Sequence, residues 1–122
     1  MKDSIVQSKS FDFSVAIILM CQKLVDEKHE YVLTKQLIKS STSIGANIRE
    51  GRRAQSPADF VAKMSISLKE AEEWRYWLEL LTASNYIDAE QSSELLIACD
   101  EIIRMLASIV KTMREKLLTL NS

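Results

Sequence analysis

Glycine occurs twice and proline once in 122 residues. Sheet proteins need frequent turns, and turns draw on both residue types, so this scarcity points to long helices. One histidine and two cysteines are too few for an ordinary tetrahedral zinc site, and His29 is not preceded by the Glu-x-x-His spacing of a bundle metal centre. Placed beside Glu30 at the end of a helical stretch, His29 reads as a surface residue. There is no phosphate-binding loop, no Gly-x-Ser-x-Gly elbow and no dinucleotide fingerprint. The longest apolar run, Val15 to Cys21, is too short to span a bilayer. Lys2, Asp3, Lys9 and Asp12 precede it and make a poor signal peptide, and Met20 lacks the small side chain of a lipoprotein processing site. A cytoplasmic protein with no membrane association is therefore expected. Cys21 and Cys99, far apart in apolar surroundings, read as small buried hydrophobes in a reducing compartment.

What is present fits one globular unit. Hydrophobic residues make up 47% and charged residues 27%, and a chain of this length buries about two thirds of its unfolded surface without disulfides or metals. The net charge of −1 hides an uneven spread. Residues 1–32 sum to −1, residues 33–75 to +3, residues 76–110 to −5 and residues 111–122 to +2. A basic middle followed by an acidic stretch suits an anionic partner, and equally suits helices of opposite charge packed side by side.

Apolar periodicity predicts four helices, at about 10–28, 32–51, 57–83 and 89–118. The first carries Phe11, Val15, Ile18 and Val25 on one line and Phe13, Ile17, Cys21 and Leu24 on a neighbouring one. In the second, Leu33, Leu37, Ile44 and Ile48 recur at helical spacing beside a polar line of Gln36, Ser40, Ser43, Asn47 and Glu50. Serines propagate helix poorly, so Ser40, Ser41, Ser43, Gly45 and Ala46 are better explained by the close approach of another helix. Ser56, Pro57 and Asp59 mark the start of the third helix as cap, first-turn proline and capping-box acid. Its seam of Phe60, Met64, Ser67, Ala71, Trp74, Leu78 and Leu81 alternates steps of four and three. Asp88 and Gln91 form a second cap signal. The fourth helix is apolar on two lines: Leu95, Cys99, Ile102, Leu106, Ile109 and Met113, and Leu96, Ile103, Val110 and Leu117. The second line predicts either a wide intramolecular face or burial against another subunit. Short connections between long helices make sequential neighbours antiparallel. The expected fold is all-α, an antiparallel up-down-up-down four-helix bundle forming a single domain over residues 1–122.

Chemistry-bearing clusters are few. Glu70, Glu72 and Glu73 lie together, as do Asp100 and Glu101, and paired carboxylates serve hydrolysis in a pocket. Here they fall beside Lys69 and Arg75 on an outer helix face, where charge runs are hydrated. No enzyme activity and no cofactor or metal are expected. Lys35, Lys39, Arg49, Arg52 and Arg53 run along helix two and its exit, followed by Lys63 and Lys69, a candidate nucleic-acid contact. Arg52 and Arg53 equally complement the negative end of a helix dipole. In a monomer the structural reading is preferred, whereas a cyclic oligomer repeats the basic stripe into a larger surface. Tyr76 and Trp77 point away from the Trp74 seam and suit core packing or subunit contact better than base stacking.

The run Ser43-Ile44-Gly45-Ala46-Asn47-Ile48-Arg49-Glu50-Gly51, with Ser56 and Asp59-Phe60 after it, resembles the bacterial four-helix-bundle family of 23S rRNA intervening-sequence proteins. Leu33, Gln36-Leu37, Asn85-Tyr86-Ile87 and Ile103-Arg104-Met105-Leu106 extend the resemblance over most of the chain. The resemblance implies a cytoplasmic bundle that assembles as a ring-like homopentamer. It also implies relatives acting as accessory proteins of diversity-generating retroelements, in which a basic pentamer binds a reverse transcriptase and nucleic acid. The near-neutral charge of this chain departs from those basic relatives. By the match, Asn47, Glu50 and Gly51 are signature positions. Asn47 and Glu50 suit a hydrogen-bonded layer between helices, and Gly51 suits a left-handed cap or a close helix contact.

Two functions are carried forward. The first is a non-enzymatic oligomeric scaffold that binds RNA, DNA or a nucleic-acid enzyme through the basic residues. The alternative is a protein-interaction module without nucleic-acid affinity, using the spare line of helix four or the Trp77 region.

Overall fold

The computed structural model describes residues 2–121, and the side chains of residues 5–119. Four helices follow one another: α1 (Lys2–Lys28), α2 (Val32–Arg52), α3 (Pro57–Ala83) and α4 (Ala89–Asn121). Each packs on the next and α4 returns to α1, and among the described residues neither diagonal pair, α1 with α3 or α2 with α4, brings its backbones close together. The architecture is a four-helix bundle with its helices ordered around the perimeter as they are in sequence.

The chain ends its helices by identifiable devices. At the end of α1, His29 takes a left-handed φ of 53°, and its amide bonds back to Val25 O at 3.1 Å. That turn swings Glu30 onto the start of α2. The Glu30 carboxylate accepts the amides of Val32 (3.1 Å), Leu33 (2.9 Å) and Thr34 (2.8 Å), three of the four donors that a helix N-terminus leaves without internal partners. Ser56 caps α3 by accepting the Asp59 amide at 3.1 Å, ahead of Pro57 in the first turn. After α3, Asn85 adopts φ 65°. The Asn85 amide then bonds Thr82 O at 3.1 Å and the Tyr86 amide bonds Leu81 O at 3.0 Å, the paired bonds of a Schellman ending. Asp88 then caps α4 through the Gln91 amide at 2.8 Å.

One core runs the length of the bundle, with Phe13, Ile17 and Cys21 from α1, Leu37, Ile44 and Ile48 from α2, the α3 seam, and Cys99, Ile102 and Leu106 from α4. Trp74 is fully buried, and Phe13 meets it edge-on with ring centres 4.6 Å apart. Both cysteines are buried and unpaired. Burial pushes both thiols up to about 12, helped by Glu30 at Cys21 and by Asp100 at Cys99.

One helix boundary changes, and one pair of alternatives is decided. Helix α1 begins eight residues earlier than the apolar pattern suggested, at Lys2, and places Val6 and Ser10 in the interior. The second apolar line of α4 is a wide intramolecular face: Leu96, Ile103 and Leu117 are half-buried against the core and Val110 is buried. The uncovered apolar line belongs to α1 instead, where Phe11 is 59% exposed and Leu19 is 60% exposed.

Candidate interaction surface

The surface that stands out lies between α1 and α2 on the outside of the bundle. The two helices approach closely because small residues face each other there. Ser14 Oγ donates to Ser41 O across the seam at 2.9 Å, and a Cβ added to Gly45 stands 3.6 Å from Ser10 Oγ. With small residues in the seam, the larger side chains of α1 flank it. Phe11, Val15 and Ile18 therefore line an open groove of about 630 Å³ with Thr42, Ala46, Arg49 and Arg53 on its α2 wall.

That wall belongs to a longer exposed line on α2, which continues past the groove to Lys39 and Lys35. Lys35, Lys39, Thr42, Ala46, Arg49 and Arg53 follow at steps of four and three, and all are exposed. At the helical rise the line is roughly 27 Å long. Four of the five basic residues singled out in the sequence thus share one face, small in the middle and cationic at both ends. Arg52 stands on the adjacent line and donates to Gln7 Oε1 of α1 at 2.6 Å. Arg49 and Arg53 have no ion-pair partner among the described residues, and Glu50, which lines the same end of the groove, pairs with Lys63 instead.

The signature positions resolve differently from one another. Gly51 is buried inside α2 and has no positive φ, so it serves close packing. A Cβ there would lie 2.9 Å from Met64 Cε and 3.3 Å from Lys63 Cβ of α3. Asn47 donates to Ser43 O at 2.8 Å and to Ser43 Oγ at 3.1 Å, both within its own helix. Among the described residues, Glu50 reaches another helix through its ion pair with Lys63 at 3.2 Å. The anticipated layer joining Asn47 and Glu50 between helices is thus two separate arrangements, because the Asn47 amide reaches back one turn instead of outward. The small-residue reading of α2 holds for Ser40 and Ser41, which are buried, and for the Ile44 turn, whose carbonyl accepts from Ser67 of α3 at 2.8 Å; Ala46 is exposed instead, on the groove wall.

Of the carboxylates clustered in the sequence, Asp100 and Glu101 are engaged in surface ion pairs. Asp100 meets Arg75 at 3.3 Å, and Glu101 meets Lys9 at 2.7 Å. The hydrogen bond from Lys9, reinforced by its charge, lowers the Glu101 carboxyl from its ordinary value. Among the described residues no three His, Cys, Asp or Glu side chains gather as a metal site, and no helix is long and apolar enough to cross a membrane.

The sequence model of the 23S rRNA-intervening sequence protein family matches residues 2–108. The chain belongs to that family. A solved relative, described as a protein of unknown function from the S23 ribosomal protein family of Bacteroides thetaiotaomicron, is 50% identical with a TM-score of 0.89. The alignment covers 91% of this chain and 99% of that one. No functionally curated protein matches. Neither the family nor the solved relative indicates an enzyme, and the signature run of this family member forms the part of α2 that packs against α1 and α3.

Proposed function

We propose that this family member is a non-catalytic scaffold that works through the α1/α2 groove, and that the groove's occupant is an acidic amphipathic helix of a protein partner. One observation carries this reading: an apolar line on α1, exposed at Phe11 and Val15 and half-buried at Ile18, runs beside an exposed line on α2 that carries Arg49 and Arg53. A helix laid in such a groove buries its apolar seam on α1 and meets the cations with acids on its flank. A phosphate backbone engages cations and leaves an apolar floor wet. Homo-oligomeric assembly, a pentamer by the family resemblance, belongs to the same proposal, and the two unpaired thiols suit a reducing compartment.

A second reading, binding of RNA or DNA with or without a reverse transcriptase, is favoured by Lys35, Lys39, Arg49 and Arg53 sharing one exposed face with Arg52 beside it. One experiment separates the two. A photo-reactive amino acid is placed at Val15 or at Lys39 and irradiated in cells, with exposed Lys116 as a control position. The groove reading expects adducts at the Val15 and Lys39 positions that survive nuclease and disappear with protease. Nuclease-sensitive adducts at Lys39 alone move the assignment to nucleic acid, and adducts no stronger than at Lys116 refute both readings.

A further inference from the structure

Where α2 ends, a polar cavity of about 420 Å³ opens beside the α1/α2 groove, lined by Gln7 of α1 and by Arg49, Arg52 and Arg53. No carboxylate lines it. The acid nearest in sequence, Glu50, is drawn toward α3 by Lys63 at 3.2 Å. Nor are the arginine side chains consumed in closing the helix: the carbonyls of Glu50 and Gly51 accept the backbone amides of Arg53 and Ala54, at 3.1 and 3.0 Å. Arg52 is the one with a tether, its Nη1 donating to Gln7 Oε1 at 2.6 Å. A guanidinium only donates, so the Gln7 amide must turn its oxygen to Arg52, which leaves its NH₂ group as a donor for another acceptor. The cavity thus gathers three exposed cations and a half-buried amide donor, with Arg52 held in place by that amide.

We infer that this cavity binds a phosphate dianion, free or as the monoester of a small molecule. Three guanidinium groups around one space repel one another. A tetrahedral dianion relieves that repulsion and offers the paired oxygens that a guanidinium fork engages. A phosphodiester carries a single negative charge and two unesterified oxygens, so the cavity matches a terminal phosphate better than a nucleic-acid backbone. Gln7, Arg49 and Arg53 also line the apolar groove, so the organic group of a bound monoester leaves toward Phe11. The site depends on Arg52, which stands off the groove wall, and not on which macromolecule fills the groove.

The test titrates the full chain by calorimetry with inorganic phosphate, phenyl phosphate, sulfate and dimethyl phosphate. Chloride at about 0.15 M screens loose attraction to a positive surface. Phosphate is expected to bind, and dimethyl phosphate, a singly charged diester, to bind about tenfold more weakly or worse. A monoester gives up its second proton at about pH 6. Affinity for phenyl phosphate should therefore fall as pH is lowered from about 7.5 to 5, whereas sulfate stays doubly charged and its binding should hold. Arg49→Gln and Arg52→Gln should each weaken phosphate by about tenfold, and Gln7→Leu, which removes no charge, should weaken it several-fold by releasing Arg52. Lys69→Gln, the same loss of charge at an exposed position on α3, should leave the affinity unchanged, and circular dichroism checks that every variant keeps its helices. Tighter binding of phenyl phosphate than of phosphate assigns a monoester whose organic group rests on the groove floor, and equal binding assigns free phosphate. The inference is overturned if the unaltered chain binds neither phosphate nor phenyl phosphate at millimolar concentration, if dimethyl phosphate binds as well as phosphate, or if Arg52→Gln and Lys69→Gln behave alike. Cross-linking from positions 15 and 39 reads the groove separately, so failure of one reading is distinguished from failure of the other.

Discussion

Replacing Glu30 is the sharpest test of how the bundle is held together, because one side chain there serves three amides. In Glu30→Ala the three amides of Val32, Leu33 and Thr34 lose their acceptor. They are not equally placed. Val32 is 72% exposed, so water replaces the carboxylate at its amide, whereas Thr34 is 2% exposed and its amide has no such substitute. An unsatisfied buried amide costs about 1–3 kcal/mol, and the exchangeable bonds about 0.5–1.5 kcal/mol each. Removing negative charge from the positive end of α2 adds about 0.3–1 kcal/mol. The combined expectation is a loss of about 4 kcal/mol, roughly a 15 °C fall in melting temperature for a chain of this size. Urea unfolding, followed by ellipticity and by the fluorescence of buried Trp74, measures it at one fixed protein concentration, since any assembly contributes to apparent stability. Glu30→Gln keeps one acceptor oxygen and should fall between the two, while Glu27→Ala, exposed at the same end of α1, should shift stability by about 0.5 kcal/mol or less. A loss below about 1 kcal/mol in Glu30→Ala refutes the assignment of this carboxylate as the cap.

At Gly51, alanine gains about 1 kcal/mol of helix propensity, offset by displacing Met64, so Gly51→Ala is expected to be nearly neutral and Gly51→Val to cost about 2 kcal/mol or more in the same assay. The raised thiols of Cys21 and Cys99 should react with an aromatic disulfide reagent at pH 8 only as fast as the bundle opens, and at once in denaturant; immediate reaction of the native protein contradicts their burial. Because their folded values lie above the unfolded ones, these thiols support the fold fully below the ordinary thiol range. That support should decline as pH climbs from there towards 12, which alkaline unfolding of Cys→Ala variants can read. Glu101 has the opposite sign: its lowered carboxyl favours the fold above the ordinary carboxylate range and loses that effect in acid. Added salt should screen the same contribution, as comparison with Glu101→Gln would show. If the second functional reading holds, RNA affinity should fall with salt at a log–log slope of about −3 to −4, for roughly five phosphate contacts, and Arg52→Glu with Arg53→Glu should flatten it.

The α3 helix was fully legible, since Ser56-Pro57 marks a start that needs no tertiary context and its 4-3 seam is the buried seam apart from half-exposed Phe60. The α1 start was not, because Ser4, Ser8 and Ser10 interrupt the apolar period although nothing there breaks a helix. Periodicity also showed two apolar lines on α1 without showing which one the core would take. That choice depends on Ser14 and Gly45 letting α2 come close, which only the assembled helices display. The basic residues were visible as a list, yet their common face with an apolar floor required the α1/α2 pairing. Glu30 was read as the polar end of α1, because glutamate is an unusual cap. Its role depends on the backbone reversal at His29.

The perimeter ordering of the helices has a kinetic consequence. Three of the four helix–helix seams join neighbours in sequence, and only the α1–α4 seam asks the two ends of the chain to meet. Chains dominated by local contacts fold in roughly microseconds to milliseconds, and the seam of longest loop closure has the largest entropy to overcome. The α1–α4 seam, where Lys9 meets Glu101, is therefore expected to form last. The same seam is where the native bundle first parts, so amides near it should exchange with solvent ahead of those around Trp74.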